Sequence, residues 1–344
     1  MEAEHLDIER RDACRSYLIS AGHARRGELI EHRPLSGGVS SRTVLVTFTD
    51  GRRWVLKQAL AKLRVAADWF SDPSRVHREA LGMRVLGELA PPGSIPRLIF
   101  DDETHHVLGM EAVPEPHENW KSMLLEGRIK FAHALEFGAL LGAIHVNGFA
   151  RRRELEPLFR DTAFFESLRI EPYYSFTAAR ESRAAAFLTT LIADTRASKQ
   201  APTHGDFSPK NVLVLQDRPI LLDHEVIHWG DPLFDLGFAL THLLSKWHHL
   251  PAYRDKLHFA LNGFLQAYFQ SVTNCPWVAE LGDRGVRHTL GCLLARVAGR
   301  SPLEYLPNLE RNRQHDVVVR LINDVPQSMH DLIERFEREI IAAE

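Results

Sequence analysis

At 344 residues the chain is about twice the length of a usual single domain, which excludes an isolated mini-domain and calls for two domains or one large two-lobed unit. Hydrophobic residues at 44% and charged residues at 25% are the composition of a folded globular chain, not of a disordered segment or a fibre. With 42 Lys plus Arg against 45 Asp plus Glu the net charge is −3, so a nucleic-acid partner has no electrostatic footprint here.

The stretch from Met1 to Arg11 has no apolar core of a signal peptide, and no uncharged run reaches membrane-spanning length. Cys14, Cys275 and Cys292 are odd in number and far apart, which fits a reducing compartment rather than a disulfide framework. A soluble, cytoplasmic protein with no membrane partner is the expectation. Thr43 to Thr49 and Arg52 to Lys57 are β-branched or aromatic runs joined by Asp50-Gly51, a hairpin signal. Asp72-Pro73-Ser74 opens a helical pattern that runs to about Leu89, where Pro91-Pro92-Gly93 stops it. Pro96 to Phe100 and His105 to Val113 flank Asp101 to Thr104 as a second hairpin, so a sheet of about five strands with one helix is expected. From Asn119 the period turns helical, with Phe131, Leu135, Gly138, Leu141 and His145 on one face before Gly148. Further helices are expected over Ser182–Thr195, Phe234–Trp247, Tyr253–Ser271, Val286–Ala298 and Gln314–Phe336, the last broken near Pro326. A boundary between the two patterns falls near Pro114 to His117.

Thr203 to Gly237 interrupts the helical half and carries most of the chemistry. Val212 to Leu215 and Ile220 to Asp223 read as short strands around Gln216 to Pro219, so a hairpin brings Asn211 beside Asp223. Asp206 precedes Asn211 in a loop holding Gly and Pro, which places two carboxylates and an amide oxygen around one point. Such oxygen donors suit magnesium, which leaves much of its octahedron to phosphates and water. Glu225 shares the face of Asp223 if the strand continues, and is then either a further metal ligand or a solvated strand end. Lys57 ends a strand, where a lone lysine is ordinarily a solvated edge. Glu79, however, stands amid the apolar stripe of Val76, Met83 and Leu86, and an acid there needs a partner, for which Lys57 is the economical candidate. Ser36 to Ser41, with Gly37, Gly38 and Ser40, is a loop of small residues whose amides can approach phosphate.

With Leu141 to His145, His204-Gly205-Asp206, Gly230-Asp231-Pro232 and Asp235-Leu236-Gly237, these residues resemble the aminoglycoside phosphotransferase and choline kinase group of small-molecule kinases, within the wider protein-kinase-like fold. The match runs from about Leu35 to at least Leu244. The resemblance implies an α+β, bilobal fold. Residues 1–113 would be a nucleotide-binding lobe of antiparallel sheet and one main helix, with 1–28 as a helical extension. Residues 114–118 would be a hinge, and 119–344 a larger, mostly helical lobe with catalytic loop and substrate site. It further implies Asp206 as catalytic base and Asn211 and Asp223 as ligands of Mg2+. Gly37, Gly38, Ser40, Lys57 and Glu79 would form the phosphate end of an ATP or GTP site, and Met110, Glu111 and Val113 the segment receiving adenine. His204 and Asp235 would be structural braces, although Asp235 also fits an exposed position early in a helix.

Two departures separate the chain from protein kinases: Gly205 stands where they carry arginine, and His224-Glu225 follows the metal aspartate in place of Phe-Gly. Asp223-His224-Glu225 is similar to the Asp-x-Glu of methylthioribose and choline kinases, whereas Asn211 departs from the methylthioribose kinase pattern. The expected activity is transfer of a phosphoryl group to a hydroxyl of a small molecule: an aminoglycoside-like antibiotic, an amino alcohol or a sugar. Trp229, Trp247 and Trp277 suit core positions better than a box for a quaternary ammonium, and Arg296 and Arg300 are left without a role. Of two other readings, a catalytically silent ligand-binding protein is disfavoured because each expected polar residue is present, and a protein kinase because Asp223 to Asp235 leaves no room for a long activation segment.

Overall fold

The computed structural model describes residues 6–28, 30–35, 40–64 and 69–344. Helix α1 (Arg11–Ser20) leads into strands β1 (Ile30–Pro34), β2 (Ser41–Phe48) and β3 (Arg53–Ala59), then α2 (Arg75–Leu89), β4 (Leu98–Asp102) and β5 (Val107–Glu111). The strands form one five-stranded antiparallel sheet in the order β1-β2-β3-β5-β4, as the two hairpin signals led one to expect. Between β2 and β3 the turn is made by Gly51 at φ 87°, with the Arg52 amide donating to Asp50 Oδ1. Asp72 caps the approach to α2 by accepting from the Ser74 amide.

Period-two alternation gives the sheet two apolar faces. Val44, Val46, Trp54, Leu56 and Val107 pack with Cys14, Tyr17 and Leu18 of α1, while Ala59, Leu108 and Met110 pack with Val76 and Met83 of α2. The far side of α2, through Val85, Leu86 and Leu89, belongs to the main core of the helical part. A Cβ on Gly82 would come within 2.8 Å of His224 Cβ, so α2 lies directly against the chemically rich segment. One helix thus ties sheet, core and site together.

Beyond β5, Asn119 caps the Trp120–Leu125 helix, accepting from the Ser122 amide. The Phe131–Ala150 helix packs along Arg254–Val272, and Pro232–His249 lies buried with Val286–Ala298 beside it. The break near Pro326 is real: Asn308–Asn323 and Met329–Ala342 are separate helices. Trp229, Trp247 and Trp277 are 1%, 3% and 0% exposed, so none boxes a ligand. The segment from Arg152 to Ala178, which the sequence reading passed over, is mostly helical and contains a π-helical stretch, Glu166–Ser175. Among the described residues no helix is long and apolar enough to cross a membrane.

Candidate active site

Alternation along β3 turns Lys57 to the same face as Val55 and Ala59, which α2 covers. There its Nζ lies 2.7 Å from both carboxylate oxygens of Glu79 and 2.9 Å from Oδ1 of Asp223. The three side chains are 11%, 2% and 22% exposed, so Asp223 is the open corner of the cluster. Burial alone would lower the lysine pKa, but the carboxylates of Asp223 and then Glu79 outweigh it and hold the ammonium well above its ordinary value. Burial pushes Glu79 up to about 7 against the pull of Lys57. For Asp223 the balance tips the other way: against burial, Lys57 and then Lys210 hold its carboxyl below the usual range.

The loop bearing Asp206 leaves the short strand Ala201–Thr203, paired with His228–Gly230. Asp235 is fully buried, not exposed, and accepts from the amides of His204 at 2.6 Å and Gly205 at 2.8 Å. His204 Nδ1 accepts from the Asp206 amide at 3.2 Å, which leaves Nε2–H to donate to His224 Nδ1 at 3.1 Å. Burial lowers the pKa of both rings. Gly205 sits at φ 77°, and a Cβ there would meet Val226 Cγ2 at 2.8 Å. Strain and clash together make Gly205→Ala destabilising by about 1–3 kcal/mol, read as a lower denaturant midpoint at constant slope. An unshifted midpoint would show that the loop relaxes freely.

An arginine distant in sequence reaches the Gly205-Asp206 loop. Arg169, in the π-helical stretch, places Nη2 3.0 Å from Asp206 Oδ2, and its Nε donates to the Gly205 carbonyl at 2.6 Å. Asn211 Nδ2 donates to the Asp206 carbonyl at 3.0 Å, and the Asn211 carbonyl accepts from the Leu222 amide at 2.8 Å. The hairpin that joins them is tighter than expected: Gln216 and Asp217 turn at φ 51° and 61°, and Pro219 is already in the second strand, Arg218–Leu221. That strand ends at Leu221, and Asp223 takes a left-handed φ of 68°.

Glu225 is therefore not on a continued strand, and it is not a solvated end. Its Oε2 meets Nε of Arg75 at 3.0 Å, and Arg75 is fully buried. Burial and then the nearby Asp223 push the Glu225 carboxyl up, with Arg75 opposing. Arg75, which the sequence reading missed, also donates to the carbonyls of Ser40, Leu60, Ser71 and Asp72, so it ties the chain at Ser40 and Leu60 to the Asp223 segment. Ser40 is buried at the end of that loop, while Gly37 and Gly38 lie outside the described residues. Met110 points into the core of α2, Val113 is buried, and the Glu111 side chain is exposed and paired with Arg97. Among the described residues no group of three or more His, Cys, Asp or Glu gathers as a metal cage.

The family model described as "Phosphotransferase enzyme family" matches residues 31–274. Methylthioribose kinase 2 of Oryza sativa subsp. japonica is 24% identical over 241 residues, covering 62% of this chain. The chain spans 56% of that relative's length. Among solved structures, an amicoumacin kinase in complex with AMP-PNP, Ca2+ and Ami superposes with a TM-score of 0.59 at 14% identity, covering 95% of this chain and 97% of the other. The GDP complex of wild-type aminoglycoside 2′-phosphotransferase-IIIa gives 0.53 at 11% identity, over 97% and 100%. At such identities the likeness is one of fold, and it agrees with the α+β, protein-kinase-like architecture that the resemblance implied.

Proposed function

From a chain that belongs to the phosphotransferase enzyme family, we propose a kinase that uses ATP or GTP with Mg2+ to phosphorylate a hydroxyl of a small molecule. The observation that carries this reading is convergence: Lys57 and Glu79 from the sheet side meet Asp223, and Asn211 ties that segment to Asp206. Residues 1–113 would then be the nucleotide lobe, 114–118 the hinge and 119–344 the acceptor lobe. Lys57, aimed by Glu79, contacts the α- and β-phosphates, which the backbone amides of Gly37, Gly38 and Ser40 would approach. Because Met110 and Glu111 turn their side chains away from a common point, the backbone from Met110 to Val113 is the part that meets the base.

Asp223 and Asn211 would hold the magnesium, and two protein oxygens suit an ion that keeps phosphate and water in its other positions. When bound, the ion neutralises charge that builds on the β- and γ-phosphates. Glu225, engaged by Arg75, is left out of the ligand set. Asp206 has Oδ2 held by Arg169, so Oδ1 takes the hydroxyl proton as the acceptor oxygen bonds to the γ-phosphorus and the bond to the β-γ bridging oxygen breaks. His204 and Asp235 fix the loop that aims it. We place the protein in the cytoplasm, where its three free cysteines would stay reduced.

The test is a magnesium-dependent ADP-release screen over aminoglycosides, choline, methylthioribose, homoserine and sugars. Failure of the folded protein to bind any nucleoside triphosphate would sink the reading. The ion pair gives a sharper check. Lys57→Ala and Glu79→Ala should each weaken ATP binding, and the double variant should be little worse than either, because each residue acts through the other. Strict additivity in calorimetric affinities would deny that coupling.

A further inference from the structure

Cations gather on the acceptor side of Asp206 with few acids to answer them. Lys246, on the Pro232–His249 helix, is 0% exposed, and its Nζ finds the carbonyl of His242 at 3.2 Å and the Tyr305 ring at 5.1 Å. Among the described residues it has no carboxylate within ion-pair distance. The Lys121 ammonium approaches the same ring, 6.0 Å from its centroid. Arg296, 8% exposed, donates through Nη1 to Tyr173 Oη at 3.1 Å and to Ser301. The acid paired within this wall is Glu304, which binds Lys121 and is 64% exposed.

The wall continues to the catalytic loop. Arg169, which holds Asp206, and Arg296 lie over the same Tyr173 ring, at 5.7 and 5.6 Å. Arg169 also lies over Phe238, whose ring is 5.0 Å from that of His242, one turn before Lys246. Burial first, then Lys121 and Arg296, press the Lys246 pKa down to about 7, with Glu304 opposing. Arg296 Nε and the Tyr305 hydroxyl are buried without a hydrogen-bond partner. An N–H and an O–H are thus left over near the Lys246 and Lys121 ammonium groups, so this wall holds donors in excess of acceptors.

We propose that the acceptor is anionic: a small hydroxylated molecule whose hydroxyl meets Asp206 while its carboxylate or phosphate group is held by Arg296 and Lys121, with Lys246 and His242 behind them. The inference rests on the kinase reading and narrows its substrate class. A polycationic antibiotic or a quaternary amino alcohol would face like charge here, whereas an anion gains charge-assisted hydrogen bonds from Arg296 and Lys121 and the attraction of Lys246 behind them. Keeping an unpaired lysine in the interior is costly to stability, and the cost is offset when the anion arrives.

Four ligands differing in charge test this: glycerate, glycerol 3-phosphate, glycerol and choline, titrated calorimetrically at constant ionic strength into the folded protein with and without AMP-PNP and magnesium. At least one of the two anions should bind about tenfold or more tightly than glycerol and choline, and which one does tells carboxylate from phosphate. Arg296→Gln and Lys246→Met should each remove that preference while leaving AMP-PNP affinity unchanged. Lys246→Met should also melt at a higher temperature without ligand, because a buried uncompensated charge is gone. Equal affinities, a preference for choline, no binding of either anion, or a preference that survives both substitutions would overturn the proposal. Loss of AMP-PNP binding in the wild type would instead sink the kinase reading and leave the anion result standing.

Discussion

Asp206→Asn is expected to lower turnover by about 10²–10⁴, with the affinity for magnesium-nucleotide nearly unchanged. The amide keeps the shape of the side chain and cannot accept the hydroxyl proton. The loop should hold its place, because its anchors are elsewhere: Asp235 grips the amides of His204 and Gly205, and Asn211 grips the Asp206 carbonyl. Arg169 loses its carboxylate but keeps the carbonyls of Gly205 and Leu168, so the stability loss should stay at about 1–3 kcal/mol. Steady-state rates with the acceptor found by the screen, beside nucleotide titration of the same preparation, separate the two effects. Undiminished turnover would remove Asp206 from the role of base.

The parts of this site that could be read in the sequence are those fixed by local rules. Asp50-Gly51 sets the β2–β3 register and hence the face on which Lys57 falls. An acid inside an apolar helical stripe announces a buried partner, and Glu79 has one. Asn211 and Asp223 converge because a hairpin brings its two ends together, and the error in the turn, two residues where four were expected, did not alter that.

What escaped depends on long-range packing. Glu225 shares a face with Asp223 only if the strand continues, but the left-handed turn at Asp223 redirects the chain and delivers Glu225 to Arg75, 150 positions away. Nothing near Arg75 in the sequence distinguishes it from a solvated helix arginine. Arg169 lies in a π-helical stretch whose spacing breaks the period by which helix faces are recognised. Lys246, in the last turn of its helix, reads as an ordinary complement to the helix dipole, and its full burial emerges only when Tyr305 and the neighbouring helix pack over it. In each case a charge was legible and its environment was not.

Asp223→Asn should abolish the magnesium dependence of nucleotide binding. On the kinase reading the wild-type carboxylate would face the phosphates and be an asset only through the metal, since without a cation between them the two negative charges repel. The substitution therefore has opposite signs in two conditions. With magnesium, affinity for ATP should fall by about a hundredfold or more as a ligand of the ion is lost. With the metal chelated, ATP should bind the variant at least as well as wild type, because one repulsion has been removed. Asparagine is the right replacement: it tolerates the left-handed φ of 68° that alanine would not, and it can still accept from Lys57. Lys57 stays anchored by both oxygens of Glu79, and losing the like charge of Asp223 draws the raised Glu79 pKa downward, which strengthens that pair. The fold should accordingly survive, and circular dichroism melts can verify it before calorimetry begins. Equal magnesium stimulation in variant and wild type would strike Asp223 from the metal site; weaker metal-free binding by the variant would show instead that Asp223 acts through Lys57 and not through an ion.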